Sequence, residues 1–214
     1  MKKYIVLIAV VTALSSFSFA QQDSTVVVKD NSNEWKQNSI FQPGNGKLES
    51  GFYGALMTRY GQIDGNGAFL VGGKGAWIIN HSLGIGIAGN GLMSRTYTSP
   101  NSNIVAGYLG GNGGILIEPV LFSDKSVHIA LPVVFGGGYV TQYVFVGETS
   151  VGFDNYVTFG YIEPGIEIEL NVVEWFRVAF GAYYAFRPEV DTYNMKSDII
   201  APLSLGASFK FGMF

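Results

Sequence analysis

Apolar and polar residues alternate along residues 199–213, the last apolar segment of the chain. One side of this segment carries Ile199, Ala201, Leu203, Leu205, Ala207, Phe209, Phe211 and Met213. The other side carries Pro202, Ser204, Gly206, Ser208, Lys210 and Gly212. Because successive side chains of a β-strand point to opposite faces, the pattern predicts a strand with one wholly apolar face. Such a strand, long enough to cross a bilayer, is typical of a β-barrel whose outside meets lipid.

Seven earlier segments have comparable strand patterns. Together the predicted strands cover residues 51–62, 67–79, 83–96, 104–120, 126–140, 155–170, 175–187 and 199–213. Each segment reaches the length of about 9–11 residues that a transmembrane strand needs. The sequence therefore predicts an all-β fold, an eight-stranded antiparallel up-and-down transmembrane β-barrel over residues 51–214.

The connections between the predicted strands alternate in length. Those after the second, fourth and sixth strands are short, at residues 80–82, 123–125 and 171–174. The others lie at residues 63–66, 97–103, 141–154 and 188–198, and the first of them contains a tight hairpin signal, Asp-Gly-Asn-Gly at 64–67. Outer-membrane barrels have short periplasmic turns and longer external loops. We therefore expect both termini in the periplasm, with 141–154 and 188–198 as external contact loops.

Charged residues within the strands fall almost entirely on the predicted interior face. The sixth strand, for example, turns Ile166 and Ile168 outward and Glu167 and Glu169 inward. The predicted interior charge network consists of Arg59, Lys74, Glu118, His128, Glu163, Glu167, Glu169, Arg177, Arg187 and Lys210. An eight-stranded barrel is just wide enough for side chains to fill it, so these charges must pair. We expect a closed or very narrow lumen, in which the network fills a polar core rather than forming a gate or a proton-responsive latch.

Aromatic residues mark both predicted membrane interfaces. The periplasmic ends of the strands carry Trp77, Phe122, Phe176, Phe209 and Phe211, and the external ends carry Tyr60, Tyr97, Tyr139, Tyr143 and Tyr156. Membrane barrels have such aromatic girdles at both interfaces. Three prolines, Pro119, Pro132 and Pro164, fall inside predicted strands. Because proline removes a donor from the ladder, we expect bulges at these positions.

The first fifty residues differ from the predicted barrel. Lys2 and Lys3 precede an apolar run at 4–14, and Ser18-Phe19-Ala20 fits a small-x-small cleavage site. The run is too short to span a membrane, so residues 1–20 are predicted to be a secretory signal peptide. Residues 21–50 are polar and are predicted to form a flexible periplasmic tail.

Charge and cysteine content exclude several functions. The chain has 13 basic and 16 acidic residues, and removal of Lys2 and Lys3 would leave 11 basic residues in the mature protein. Such an acidic balance does not favour a nucleic-acid partner. The chain has no cysteine, which excludes a disulfide framework, a thiol nucleophile and a thiolate metal site. No cofactor is expected.

Candidate catalytic residues are few. Glu167 and Glu169 resemble an acid/base pair or a cation site, but we expect them to pair with Arg177 and Lys210. Some eight-stranded outer-membrane barrels are lipid-modifying enzymes that use a histidine with a serine. Here His81, beside Ser82, and His128 are both predicted at the periplasmic end, away from external lipid. The chain is therefore predicted not to be an enzyme.

One segment carries a family resemblance. Residues 72–92, and most distinctively Trp77-Ile78-Ile79-Asn80-His81-Ser82, resemble small outer-membrane β-barrel proteins of the Bacteroidota. The resemblance implies the barrel fold and a location in the cell outer membrane, and it supplies no catalytic residues. The final Phe214 resembles the assembly signal read by the barrel-assembly machinery, although it lies one residue out of phase with Met213, Phe211 and Phe209.

The predicted function follows from these observations. We expect an integral outer-membrane barrel with a structural or interaction role, whose partners are outer-membrane lipid and, during insertion, the barrel-assembly machinery. One alternative is an accessory subunit that binds another outer-membrane protein in a complex for export, barrel assembly or nutrient uptake. A second alternative is a small diffusion pore.

Overall fold

A computed structural model of the chain describes residues 50–98, 104–146, 151–187, 191–192, 195–196 and 199–214. The predicted signal peptide and residues 21–49 of the predicted tail lie outside the described residues, as do parts of three predicted external loops. Among the described residues, no helix is long and apolar enough to cross a membrane.

The described residues form β-strands joined by short connections. The strands are β1 (Ser50–Ile63), β2 (Asn66–Ile79), β3 (Leu83–Ser94), β4 (Tyr97–Thr98), β5 (Ile104–Leu121), β6 (Val127–Ala130), β7 (Val133–Val146), β8 (Val151–Val173), β9 (Phe176–Tyr184), β10 (Asp191–Thr192), β11 (Met195–Lys196) and β12 (Leu203–Met213). β10 pairs with β11 in a separate small hairpin, and β4 pairs with Val105 and Ala106 near the start of β5. The remaining strands build one large sheet.

The large sheet closes into a ring of eight positions. The order around the ring is β1, β2, β3, β5, β6 with β7, β8, β9 and β12, and every pairing is antiparallel. β12 then pairs with β1, from Phe52↔Met213 to Tyr60↔Leu205, and this pairing is the seam of the barrel. The predicted eight-stranded antiparallel barrel is confirmed.

The observed strand ends correct several predicted boundaries. β7 and β8 extend through most of 141–154, which the sequence analysis assigned to an external loop, and pair there with a register shift between Gln142 and Tyr143. This segment is rich in β-branched and aromatic residues, whose strand preference outweighs its few polar positions. Part of the predicted loop 188–198 forms β10 and β11. The predicted last strand begins later, at Leu203, and Ile200 is buried against the core.

The bulges expected at the three prolines are absent, so that prediction is wrong. Pro132 lies between β6 and β7, yet the pairing on both sides keeps one register, with Ile117↔Val133 and Val120↔Ala130. Pro119 and Pro164 occupy ordinary paired positions. Each proline lacks only its donor, and the Pro119 and Pro132 carbonyl oxygens still accept hydrogen bonds from the Leu131 and Gly165 amides at 2.8 and 2.7 Å. The ladder therefore continues past all three prolines.

Two of the hairpins depend on left-handed backbone. Asp64 and Gly65 have φ values of 49° and 72°, and they join β1 to β2 directly after the Ile63↔Asn66 pair. Asn80 and His81 have φ values of 50° and 54° at the end of β2. Consecutive positive φ values suit the twist of the flanking strands, and asparagine, aspartate and glycine tolerate them best. The tight hairpin predicted at 64–67 is confirmed.

The barrel is apolar outside and polar inside. Large apolar side chains such as Leu56, Ile87 and Trp77 are 67%, 70% and 62% exposed on the outer face. The lumen side buries Arg59, Lys74, Glu118, His128, Glu163, Glu167, Glu169, Arg177 and Lys210, together with Met57, Leu116 and several tyrosines. A water-soluble barrel would have the reverse arrangement. The apolar and polar residues that alternate in the sequence therefore form two chemically different faces of the barrel.

Candidate functional site in the barrel lumen

The strand period places nine of the ten predicted network residues in the lumen, where each is no more than 9% exposed. The tenth, Arg187, is half-buried beyond the end of β9. The nine come from seven positions of the ring, so residues far apart in sequence meet across the barrel. A ring of eight strands is just wide enough for side chains to fill it.

Glu118 on β5 is the centre of the network. Its Oε2 accepts a hydrogen bond from Lys74 Nζ at 2.6 Å. Its Oε1 accepts hydrogen bonds from Lys210 Nζ at 2.8 Å and from the Tyr53 hydroxyl at 2.7 Å. Tyr53 lies on β1, Lys74 on β2 and Lys210 on β12, so one carboxylate reaches across the lumen to both sides of the seam.

Glu167 on β8 shares the same two lysines. Lys74 Nζ lies 2.7 and 2.9 Å from its two carboxylate oxygens, and Lys210 Nζ lies 3.2 Å from Oε2. The Tyr183 hydroxyl donates to Oε1 at 2.6 Å. The described contacts of Glu167 do not include its predicted partner Arg177, because Lys74 reaches this carboxylate from the opposite wall. Buried charges with this many donors and acceptors are compensated rather than isolated.

Glu169 continues the network toward the β8–β9 turn. Lys210 Nζ and Glu169 Oε1 form an ion pair, as the sequence analysis expected. Glu169 Oε2 lies 2.9 Å from His128 Nε2 and 3.7 Å from Arg177 Nη1. The Arg177 guanidinium lies 3.8 Å from the centre of the Phe214 ring, which in turn stacks on Tyr53 at 5.9 Å. Phe214 is thus turned toward the lumen, whereas Met213 and Phe211 face outward.

The other end of the lumen holds a separate ion pair. Arg59 Nη1 lies 2.5 Å from Glu163 Oε1, and its guanidinium stacks over the Tyr183 ring at 3.5 Å. Arg187 instead donates to the carbonyl of Ile200 at 3.4 Å and lies over the Phe159 ring. The described ion pairs therefore do not bring Arg187 into the network.

The three central carboxylates form a group with the dimensions of a metal site. Oxygen atoms of Glu118, Glu167 and Glu169 all lie within 4.8 Å of one another. The ammonium groups of Lys74 and Lys210 already occupy the space between them and bind all three. With Arg177 beside Glu169, three cations face three carboxylates. The cluster is thus neutralised by the chain itself.

Two members of the network were not predicted as site residues. Tyr53 and Tyr183 donate their hydroxyl groups to Glu118 and Glu167. Both sit at inward positions of their strands, and a buried tyrosine hydroxyl needs a partner. That rule was the available signal, but it does not reveal which carboxylate each tyrosine meets.

Aromatic side chains project from the outer face near both ends of the barrel. At the periplasmic end that the sequence analysis assigned, Trp77, Phe122 and Trp175 are exposed, and Phe176 stacks on Phe211 at 4.9 Å. Trp175, which the sequence analysis did not name among the aromatic residues, lies in the turn between β8 and β9. Tyr60, Tyr139 and Tyr156 are exposed at the other end. Phe122 has a φ of 59°, an uncommon conformation for a bulky residue, which holds its ring away from the barrel.

A row of glycines crosses the outer face. Gly73, Gly89, Gly113, Gly137 and Gly160 are direct register partners on β2, β3, β5, β7 and β8. At a strand spacing of about 4.8 Å, the row is about 19 Å long. An apolar depression of about 720 Å³ begins at one end of it, with Leu56, Ile87 and Phe211 among its walls.

Two of these glycines, Gly137 and Gly160, are not required by close packing within the barrel. A Cβ added at Gly137 or Gly160 would meet nothing closer than a carbonyl oxygen at 3.4 or 3.8 Å. On the inward side, by contrast, a Cβ at Gly114 or Gly136 would come within 2.2 Å of neighbouring backbone. The inward Gly114 and Gly136 therefore pack against neighbouring backbone, whereas the outward row leaves bare backbone on the surface.

Solved structures similar to this chain include three outer-surface or outer-membrane proteins. Neisserial surface protein A is 12% identical with a TM-score of 0.47, and the match covers 77% of this chain and 98% of that chain. Ail of Yersinia pestis, in complex with the heparin analogue sucrose octasulfate, is 13% identical with a TM-score of 0.43, covering 77% and 99%. A major outer membrane protein from Thermus thermophilus is 12% identical with a TM-score of 0.41, covering 75% and 99%.

No family model and no curated protein matches the chain. The barrel architecture therefore rests on the strand pairing of the chain itself.

Proposed function

We propose that this chain is an integral outer-membrane β-barrel with a closed polar lumen, which serves a structural or interaction role and is not an enzyme. The observation that carries the proposal is the combination of an apolar outer belt with a charge-compensated ion network inside. A belt of this kind would be unfavourable in water over such an area. In a bilayer it contacts lipid chains, and the aromatic residues at both ends of the strands suit the two interfaces.

The orientation is part of the same proposal. The turns at 80–82 and 174–175 and the connection at 122–126 lie on the same end of the barrel as Ser50 and Phe214. Short turns are characteristic of the periplasmic side, which supports periplasmic termini. Outer-membrane lipid is then the permanent partner. The barrel-assembly machinery is the partner during insertion, with Phe214 as the proposed assembly signal.

A closed lumen predicts an electrically silent barrel. Glu118, Lys74 and Lys210 meet across the lumen, and this contact supports a barrel without a water-filled path at this level. Purified mature protein in planar bilayers should therefore show no reproducible single-channel conductance at neutral pH. A steady unitary current would refute the closed lumen and favour the diffusion-pore alternative. Recovery of the protein in the outer-membrane fraction tests the location separately.

The outward glycine row supports a second candidate, an accessory subunit of a larger outer-membrane complex. Glycine weakens a strand, and the barrel's own packing does not demand it at Gly137 and Gly160. Lipid chains are flexible and can cover ordinary side chains equally well. A rigid transmembrane segment of another protein packs more closely against glycine than against larger side chains, because small residues let two backbones approach closely in a bilayer.

The subunit candidate predicts that bulk on the glycine row releases a partner. Gly137→Leu and Gly160→Leu should reduce partner recovery at least tenfold in a pull-down of the tagged protein from native outer membranes in mild detergent. The folded barrel itself should still form, since both changes point outward. Ala182→Leu is the matched control, because Ala182 faces outward on β9, outside the row. A lone barrel in the wild-type pull-down, or equal recovery from all variants, would remove this candidate.

A further inference from the structure

Three prolines lie in neighbouring strands on one side of the barrel. Pro119 lies in β5, Pro132 between β6 and β7, and Pro164 in β8, whereas β1, β2, β3, β9 and β12 contain no proline. A proline in a central strand is uncommon, because it removes a donor from the ladder. Natural proteins break such local rules mainly at functional sites. The three prolines therefore indicate a functional feature in this part of the wall.

Two of the prolines each leave a strand pair with a single hydrogen bond. Directly opposed residues of an antiparallel ladder can exchange two hydrogen bonds. The Leu131 amide donates to the Pro119 carbonyl at 2.8 Å, and the Gly165 amide donates to the Pro132 carbonyl at 2.7 Å. Neither proline can return the bond, because it has no backbone N–H. The pairing is thus weakened between β5 and β6 and again at the contact of Pro132 with β8.

The third proline weakens the interface between β8 and β9 in the same way. Ile162 and Phe186 exchange both hydrogen bonds, at 3.0 and 2.8 Å. Two residues farther along β8, the same register sets Pro164 opposite Tyr184. There the proline can accept a hydrogen bond but cannot donate one.

The three weakened pairs form one continuous line across the wall. Leu131 directly precedes Pro132, and Pro164 directly precedes Gly165, so each weakened pair lies one residue from the next. This proline line crosses three successive strand interfaces from β5 to β9. Backbone groups without a partner are costly in hydrocarbon. A wall that lacks these bonds already in its closed form loses fewer of them when it opens.

Two lysines from other strands of the barrel bridge the proline line inside the lumen. Lys74 Nζ lies 2.6 Å from Glu118 Oε2 and 2.7 Å from Glu167 Oε1. Lys210 Nζ lies 2.8 Å from Glu118 Oε1 and 3.2 Å from Glu167 Oε2. Glu118 belongs to β5 and Glu167 to β8, on either side of the first two weakened interfaces. Tyr183 of β9 crosses the third interface, since its hydroxyl donates to Glu167 at 2.6 Å.

We propose that the wall from β5 to β9 is a lateral gate, a line of weakened strand pairing that Lys74, Lys210 and Tyr183 hold closed from inside the lumen. Release of these contacts separates β5 from β8 and opens the polar lumen sideways to lipid, rather than along the barrel axis. The lumen network then acts as a latch in addition to filling the core. This inference rests on the proposed closed barrel in a bilayer.

Hydrogen exchange of backbone amides tests the weakened line. In mature protein folded into lipid nanodiscs, the Leu131 and Gly165 amides should exchange at least tenfold faster than the paired amides of β1, in the opposite wall. Replacement of Pro119, Pro132 and Pro164 by alanine restores the three donors and should slow both amides at least tenfold. Pro202→Ala is the matched control, because Pro202 precedes β12 outside the line, and it should leave both rates unchanged.

A distance measurement tests the latch. Because the chain has no cysteine, Ile117→Cys on β5 and Ile166→Cys on β8 place two spin labels on the outer face, on either side of the line. Dipolar electron paramagnetic resonance should give one distance when the latch is intact. Lys74→Gln should add a second, longer distance. Lys125→Gln, at an exposed lysine in the connection after β5, should not.

The outcomes separate this inference from the proposed function. Leu131 and Gly165 amides that exchange as slowly as those of β1, or that do not respond to the three alanines, would overturn the weakened line. A single unchanged distance in Lys74→Gln would overturn the latch. Protein that fails to insert into nanodiscs, or that carries a steady unitary current, would instead refute the closed membrane barrel.

Discussion

Replacement of Glu118 by glutamine should lower the free energy of unfolding by about 3–5 kcal/mol, the largest effect expected for a single lumen residue. The carboxylate is 1% exposed and binds Lys74, Lys210 and Tyr53. The amide removes the negative charge and leaves two buried ammonium groups competing for Glu167 and Glu169. Urea unfolding in lipid vesicles, followed by the gel mobility shift of folded barrels, measures the change.

The matched control is Asp124→Asn, an acid-to-amide change at a solvent-exposed pair. Asp124 lies 2.7 Å from Lys125 in the connection after β5, and both side chains are more than half exposed. Such surface pairs contribute about 0–1 kcal/mol. If Glu118→Gln unfolds no more easily than Asp124→Asn, the lumen network does not stabilise the folded barrel.

The Glu118→Gln variant also tests whether Glu118 stabilises the seam between β1 and β12. Tyr53 and Lys210 stand on the two strands of the seam, and Glu118 binds both from the opposite wall. Glu118→Gln should therefore increase the hydrogen exchange of backbone amides in β1 and β12 before it increases exchange in β3 or β5. Equal exchange in all strands would mean that the carboxylate stabilises the lumen as a whole rather than the seam.

The sequence predicted the faces of the strands better than their ends. A period of two is strict wherever lipid lies on one side and packed charge on the other, so inward Glu163 and outward Ile162 could be assigned without a structure. Strand ends are set by pairing partners instead. The sequence analysis assigned residues 141–146 to a loop, but they pair with β8 and so continue β7. Pro132 leaves the register of the strand pairing unchanged. The rule that proline lacks a backbone donor does not predict this.

The membership of the lumen network was predictable, but its pairing was not. Lys74 and Glu167 are 93 residues apart in the sequence, and they meet because their strands face each other across the ring at the same height. That height depends on the stagger of the whole barrel, which alternation alone does not specify. For the same reason, the five outward glycines form a row only once the strand register is known. Arg187 shows the opposite case, an inward position beyond the paired part of β9 that joins no described ion pair.

The other large effect is expected from a charged substitution on the outer belt, which we propose contacts lipid. Ile87→Arg should lower the free energy of unfolding in a bilayer by about 2–4 kcal/mol, the range for a cation near the bilayer midplane. Ile87 is 70% exposed and lies inside β3, paired with Gly75 and Ile115, so its side chain meets the surrounding medium and not the lumen. The measurement is the urea midpoint of folding into lipid vesicles.

The matched control keeps the substitution and changes only the depth. Val127 is 53% exposed on the same outer face, at the first residue of β6 near the proposed periplasmic interface. Val127→Arg should cost about 0–1 kcal/mol, because an arginine there reaches the headgroups. If the belt faced water instead of lipid, arginine would be tolerated equally well at both positions. A difference between the two variants therefore measures the presence of a bilayer around the barrel, independently of anything inside the lumen.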